Sequence, residues 1–256
     1  MRKVSPGLLA LVLALAWQDV AFAAGRAPLM SARPSLAATG LATGETQLAN
    51  GAIAYRPASA PPGPLPVVVL LHGAGRNAGR FLQMLKPTAD RRGLILVAPQ
   101  SLGITWDWVQ NMRAGDYSWR GPDGRRIDDS LKDLFGRAPV DPSRVVLLGF
   151  SDGASYALSL GLANSKLFTG VISLSPGMWD PPRRIDKSQR IFIAHGRRDS
   201  VLPFGATAKI VEDLQSERAT LRFHPFDGDH QIDTPSLTEA LDWTVGPVGK
   251  QGGLQP

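Results

Sequence analysis

The chain has 256 residues, 43% of them hydrophobic, a net charge of +6 and no cysteine. That length suits one large domain with a substantial core, and the lack of cysteine excludes a disulfide framework or a thiolate metal site. The arginine pairs at 91–92, 125–126, 183–184 and 197–198 are scattered and not interleaved with aromatics, so the charge reads as a solvated basic surface and no nucleic-acid partner is expected.

Arg2 and Lys3 precede an apolar run from Gly7 to Trp17, and Ala21-Phe22-Ala23 follows as a small-x-small cleavage pattern. Residues 1–23 are expected to be a secretory signal peptide, too short in its apolar part to span a membrane. The mature protein is then secreted or periplasmic, with no stable membrane insertion. Residues 24–44 are rich in Ala, Gly, Pro and Ser and are expected to form a flexible leader. A domain over 45–247 follows, with a tail at 248–256.

The domain opens on Gln47–Ala49 and Ala52–Tyr55 around Asn50-Gly51, a pair that tolerates positive φ and predicts a two-residue hairpin turn. Val67–Leu71 is continuously apolar and β-branched, as a strand buried on both faces should be. A helix is expected from about Ala78 to Arg91, kinked or split at Pro87. Leu94–Ala98 is another strand. Between Ser101 and Gly124 lies a long polar and aromatic insertion. A helix over Ile127–Phe135 carries Asp128 and Asp129 in its first turn, against the positive end of the dipole.

Val145–Phe150 is the next strand, followed by a helix in which Gly153, Ala157 and Gly161 make a smooth face. Gly170–Leu174 and Ile191–Ala194 are further strands. A helix over 204–217, a strand over 221–226 and a helix over 235–245 complete the chain. Buried strands alternating with helices predict an α/β fold: a mostly parallel sheet with helices on both faces and an antiparallel hairpin at its start.

The chemistry centres on Gly149-Phe150-Ser151-Asp152-Gly153, where a strand turns directly into a helix. Small neighbours at 149 and 153 let the strained turn lift the Ser151 hydroxyl clear of the sheet. A serine needs a base and an orienting acid, placed at the ends of later strands. Asp199 and His230 stand there, giving the order Ser, Asp, His. Among the four histidines, His224 falls inside a strand, and His72 and His195 read as hydrogen-bonders beside glycine turns. Asp227 and Asp229 compete with Asp199 but sit too near His230 in sequence. No second ligand supports a metal at Asp227, Asp229 and His230. The glycine loop His72-Gly73-Ala74-Gly75 offers the Ala74 N–H as one oxyanion donor, and Asp152 N–H at the helix start is the other. Trp106, Trp108 and Trp179 are candidate linings of an acyl or aromatic pocket, with core or lid packing as the alternative.

Together, His72-Gly73-Ala74-Gly75, the Gly149–Gly153 motif, His195-Gly196 through Asp199 to Pro203, and Asp229-His230 resemble the α/β-hydrolase superfamily. The likeness is greatest to its phospholipase/carboxylesterase branch and the related secreted polyester- and feruloyl-ester-cleaving enzymes. It spans roughly Tyr55 to Val245. Asp152-Gly153-Ala154 stands where Gln-Gly-Gly is common, and Asp-Gly-Asp precedes the histidine where Gly-Gly is usual. The resemblance implies a cofactor-free serine esterase with a small-molecule or polymeric ester as substrate. A thioesterase, a peptidase, or a non-catalytic lipid-binding envelope protein on the same scaffold are the alternatives.

Overall fold

The computed structural model describes residues 27–38 and 40–246. The proposed signal segment and the 248–256 tail lie outside the described residues. Eight strands form one sheet: β1 (Gly44–Gln47), β2 (Ile53–Arg56), β3 (Leu65–Leu71), β4 (Ile95–Ala98), β5 (Val140–Phe150), β6 (Gly170–Leu174), β7 (Arg190–Gly196) and β8 (Thr220–Phe226). Their order is β1-β2-β4-β3-β5-β6-β7-β8. From β4 to β8 every pairing is parallel, and the β1–β2 hairpin joins β4 antiparallel. This is the α/β-hydrolase fold.

Among the described residues six helices pack around the sheet: α1 (Ala78–Arg92), α2 (Asp107–Arg113), α3 (Asp123–Arg137), α4 (Asp152–Ala163), α5 (Phe204–Ser216) and α6 (Thr234–Thr244). Alternation along the central strands sorts the two faces. Val67, Val69, Leu71, Val145 and Leu147 pack with Ile127 and Leu131 of α3 and with Tyr156 and Leu160 of α4. Val68, Leu70, Val146 and Leu148 pack with Phe81 and Leu85 of α1 and with Leu237 and Leu241 of α6. The α5 helix covers β6 and β7 through Ile210, Val211 and Leu214.

Four expectations need correction. The hairpin is present, but its connection runs from Leu48 to Ala52 through a short turn in which Asn50 (φ 59°) and Gly51 (φ 75°) are both left-handed. Pro87 lies inside one unbroken helix. The insertion holds a helix of its own, α2, and α3 starts at Asp123 rather than near Ile127. The leader, finally, is not loose where it is described. Met30 N–H donates to Asn164 Oδ1 (2.7 Å), Asn164 Nδ2 donates to the Pro28 carbonyl (2.9 Å), and Ser31 and Ala32 N–H donate to Asp128 Oδ1 (2.9 and 2.7 Å). Ala27, Met30 and Ala32 are buried in the core. Two side chains more than ninety residues downstream supply the order that local composition lacks.

Candidate active site

The β5–α4 junction is fixed by backbone contact. A Cβ at Gly149 would lie 2.0 Å from the Gly153 carbonyl oxygen, and one at Gly153 would lie 2.0 Å from that of Leu71. Between them Ser151 adopts φ 57°, ψ −122°, a region costly for any residue with a side chain. Its N–H bonds the Leu174 carbonyl (2.9 Å), and its own carbonyl receives the N–H of Ala154 and Ser155, opening the helix. The hydroxyl therefore stands at the carboxyl ends of the strands, where open α/β sheets place their sites.

Two later loops meet it. His230, after β8, sets Nε2 2.9 Å from Ser151 Oγ and Nδ1 2.7 Å from Asp199 Oδ2. The carboxylate cannot donate, so Nδ1 carries the proton and Nε2 is left to accept from the serine. Asp199, in the loop after β7, receives the Val201 and Leu202 N–H groups on Oδ1 at 2.9 and 2.7 Å. Burial raises the Asp199 carboxyl, but the Leu202 N–H, the His230 imidazole and the Val201 N–H outweigh it and hold it below its ordinary value. Asp229 serves the loop instead: its Oδ1 receives the Ser200 N–H and hydroxyl and the His230 N–H. Asp227 pairs with Arg198 on the surface. His224 lies against Glu239 (2.8 Å), away from the serine.

The glycine loop is fixed by His72. Its Nε2 faces the Ser101 N–H at 3.2 Å and Gln100 Nε2 at 3.0 Å, so it accepts, and Nδ1–H donates to the Gly73 carbonyl at 2.6 Å. Burial pushes this imidazole down from its ordinary value, keeping it neutral. In a trans peptide the C=O and N–H point in opposite directions, so binding the Gly73 carbonyl turns the Ala74 N–H away from His72. The same loop presses on the nucleophile: a Cβ at Gly73 would lie 3.2 Å from Ser151 Cβ. Asp152 is the first residue of α4, where N–H groups have no partner within the helix. Its side chain is buried, with Oδ1 bound to Arg113 Nη2 at 2.6 Å.

Trp106 and Trp108 do not line a pocket. Both are 0% exposed. Trp106 lies against the His72 ring, 4.7 Å between centroids, and donates Nε1–H to the His72 carbonyl (2.8 Å), while Trp108 stacks on Trp119. Trp179 is half-buried and borders an open surface groove with Arg183, Ile185 and Glu217. Two exposed apolar side chains stand on the segments bound to the glycine loop and to Asp199, at positions that sequence patterning did not single out. Ile104, whose carbonyl receives the Gly75 N–H, is 67% exposed, and Val201, beside Asp199, is 61% exposed. Among the described residues no group of three His, Asp or Glu side chains gathers at metal-holding distance.

Residues 124–244 match the family model described as phospholipase/carboxylesterase. The chain is 29% identical over 173 residues to the putative esterase NocK of Nocardia uniformis subsp. tsuyamanensis, covering 62% of this chain and 49% of that protein. It is 32% identical over 111 residues to acyl-protein thioesterase 1 of Mycosarcoma maydis, covering 39% and 45%. The chain thus spans about half the length of these curated relatives. Esterase PE8 shares the fold with TM-score 0.57 and 20% identity over 80% of this chain and 98% of that one. The Bacillus cereus carboxylesterase does so with TM-score 0.52 and 20% identity over 70% and 87%. The chain thus has the α/β-hydrolase fold, and its residues 124–244 are similar to the phospholipase/carboxylesterase family.

Proposed function

We propose that the protein is a serine hydrolase that cleaves carboxylic esters through an acyl-enzyme on Ser151. The observation carrying this reading is the continuous relay from Ser151 Oγ through His230 to Asp199, at 2.9 and 2.7 Å, on a strained strand-to-helix turn. His230 Nε2 takes the hydroxyl proton as Oγ bonds to the ester carbonyl carbon. The carbonyl π pair moves onto oxygen, where the Ala74 and Asp152 N–H groups receive the charge. Collapse breaks the bond to the alcohol oxygen, and His230 returns its proton to that leaving group. Water then repeats the sequence against the acyl carbon, freeing the acid and restoring Ser151. Asp199 remains ionised throughout and stabilises the imidazolium. The exposed side chains of Ile104 and Val201 suit an apolar substituent on the ester.

Replacing Ser151 with Ala should lower hydrolysis of a short p-nitrophenyl ester by about 10⁴-fold or more with the fold intact, and should abolish labelling by a fluorophosphonate probe. Full activity in that variant would overturn the reading, and failure of the probe to label the native protein would favour a non-catalytic lipid binder. A second reading, thioester hydrolysis, is favoured by the likeness to acyl-protein thioesterase 1. Matched ester, thioester and amide substrates separate it from the first. We further propose that residues 1–23 direct export, so that the enzyme acts in a secreted or periplasmic setting.

A further inference from the structure

The residue after the nucleophile brings a charge into the interior. Asp152 is 3% exposed, and one group binds its carboxylate: Arg113 Nη2–H donates to Oδ1 at 2.6 Å. Oδ2 is sealed from solvent and has no hydrogen-bond partner among the described residues. Arg113 is the last residue of α2, the helix within the 101–124 insertion, and its side chain is 49% exposed. That helix is bound to α4 at both ends. Asp107 Oδ1 at its start receives the Tyr156 hydroxyl at 3.1 Å, and Arg113 at its end holds Asp152. Asp107 and Asp123 each accept the other's backbone N–H, at 2.8 and 3.0 Å, which fixes where α2 begins.

The place of this pair matters for the chemistry. Covalent geometry keeps an aspartate carboxylate within about 5 Å of its own backbone nitrogen, and the Asp152 N–H is one of the two groups assigned to the ester oxygen. The other is on the glycine loop, which the Asp152 charge also reaches. Burial is the largest influence on the His72 ring and lowers it; the Gly73 carbonyl and the Asp152 charge oppose that, and Arg76 adds to it. A carboxylate this close repels a developing oxyanion even at an effective dielectric of about 20. Yet the helix favours it. Asp152 is the acidic residue in the first turn of α4, where a negative charge suits the positive end of the dipole. The same positive end would receive the ester oxygen, so two anions compete for one field.

We propose that Arg113 is a positioning residue that balances the Asp152 charge beside the oxyanion site, so that the insertion serves the reaction as well as the fold. Arg113 acts through Asp152 and not on the reacting atoms. With the guanidinium in place, the pair presents little net charge to the ester oxygen, and the Asp152 and Ala74 N–H groups act undiminished. Without it, the field of a sealed carboxylate opposes them. That opposition is felt in the transition state, where the oxygen is charged, and scarcely in the ground state, where it is neutral. The loss therefore falls on kcat and spares KM. Removing both charges together removes the conflict itself.

The proposal rests on the Ser151 acyl-enzyme reading, and comparing native protein with variants separates the two. Arg113→Met keeps the apolar stem and removes the charge. Its kcat on a short p-nitrophenyl ester should fall by about 10–100-fold with KM nearly unchanged, and its rate of fluorophosphonate labelling should fall in parallel. Arg113→Lys, which keeps the charge, should retain most of kcat. The deciding variant is the double change Arg113→Met with Asp152→Asn, which keeps the backbone N–H and leaves no unpaired buried charge. Its kcat should return to within a few-fold of native, and it still decides the matter if Arg113→Met alone does not fold. A double variant that stays about tenfold or more below native would overturn the proposal and make Arg113 a tether of the insertion only. So would native kcat in Arg113→Met. A native protein that neither hydrolyses esters nor takes the label would instead overturn the acyl-enzyme reading, and this inference with it.

Discussion

The strand-to-helix turn at Ser151 and the segment 27–38 both meet α4, and opposite means hold them there. At the turn, backbone meets backbone: Gly149 against Gly153, Gly153 against Leu71 and His72, with no atom to spare. In the N-terminal segment, backbone meets distant side chains, Asp128 on α3 and Asn164 just beyond α4. The first arrangement needs particular residue types at particular spacings and tolerates nothing else. The second needs one carboxylate and one amide, and constrains the segment's own residues only to be small and partly apolar. Strict local sterics leave a motif, whereas clamping by remote groups leaves none.

The sharpest way to break this contrast is Gly153→Ala. The new Cβ would lie 2.0 Å from the Leu71 carbonyl oxygen and 2.5 Å from that of His72, and backbone atoms on a central strand cannot step aside. Loss of stable protein is expected, by more than about 4 kcal/mol. Thermal unfolding that matches the native protein would mean that the turn relaxes easily and that its glycines are not steric requirements.

A smaller effect is expected from Asp128→Asn. The carboxylate accepts from Ser31 N–H, the Ser31 hydroxyl and Ala32 N–H, and pairs with Lys132. Burial raises its pKa, but the Ala32 N–H, Lys132 and Ser31 overcome that and hold it below the ordinary value. A carboxyl depressed in the folded state binds its proton more tightly when unfolded. Its contribution is therefore complete above the unfolded value, about 3.9, and is lost as pH falls through the folded one. At neutral pH the variant should lose about 1–3 kcal/mol with kcat unchanged, and its deficit should shrink as pH falls below the unfolded value of about 3.9. Protease cleavage confined to residues 27–38 would localise the loss. A deficit that does not shrink on acidification would place the effect outside this carboxylate.

What could be read in the sequence follows the same division. Alternating buried strands and helices, the flanking glycines and the order Ser151, Asp199, His230 are local or ordinal features, and pattern reaches them. Pattern did not reach the order of residues 27–38, because nothing in Ala27–Ala32 announces Asp128 or Asn164. Nor did it foresee that the Val201 and Leu202 N–H groups would fill Asp199 Oδ1, since that depends on how the loop after β7 folds back on itself. Trp106 and Trp108 were left between pocket lining and core packing for a related reason. Aromatic residues in a long insertion look the same whether they face a substrate or the underside of a loop, and only the His72 carbonyl, thirty-four positions away, decides.

Trp106 is the intermediate case: an insertion side chain that reaches the catalytic side through one hydrogen bond. Its Nε1–H binds the carbonyl of the residue whose ring holds the Gly73 peptide, so it acts on the Ala74 N–H at two removes. Trp106→Phe keeps an aromatic ring against His72 and Tyr156 but leaves a buried carbonyl without its donor, at about 1–2 kcal/mol. Removing an oxyanion donor outright costs about 10²–10³ in turnover. Loosening the peptide proposed to carry one should cost less, roughly tenfold in kcat, with KM nearly unchanged, because the charge it would receive exists only in the transition state. A rise in KM at constant kcat would instead make the loop a ground-state contact. Unchanged kinetics with lowered stability would leave Trp106 a core residue only, and the orientation of the Ala74 N–H would then rest on His72 alone.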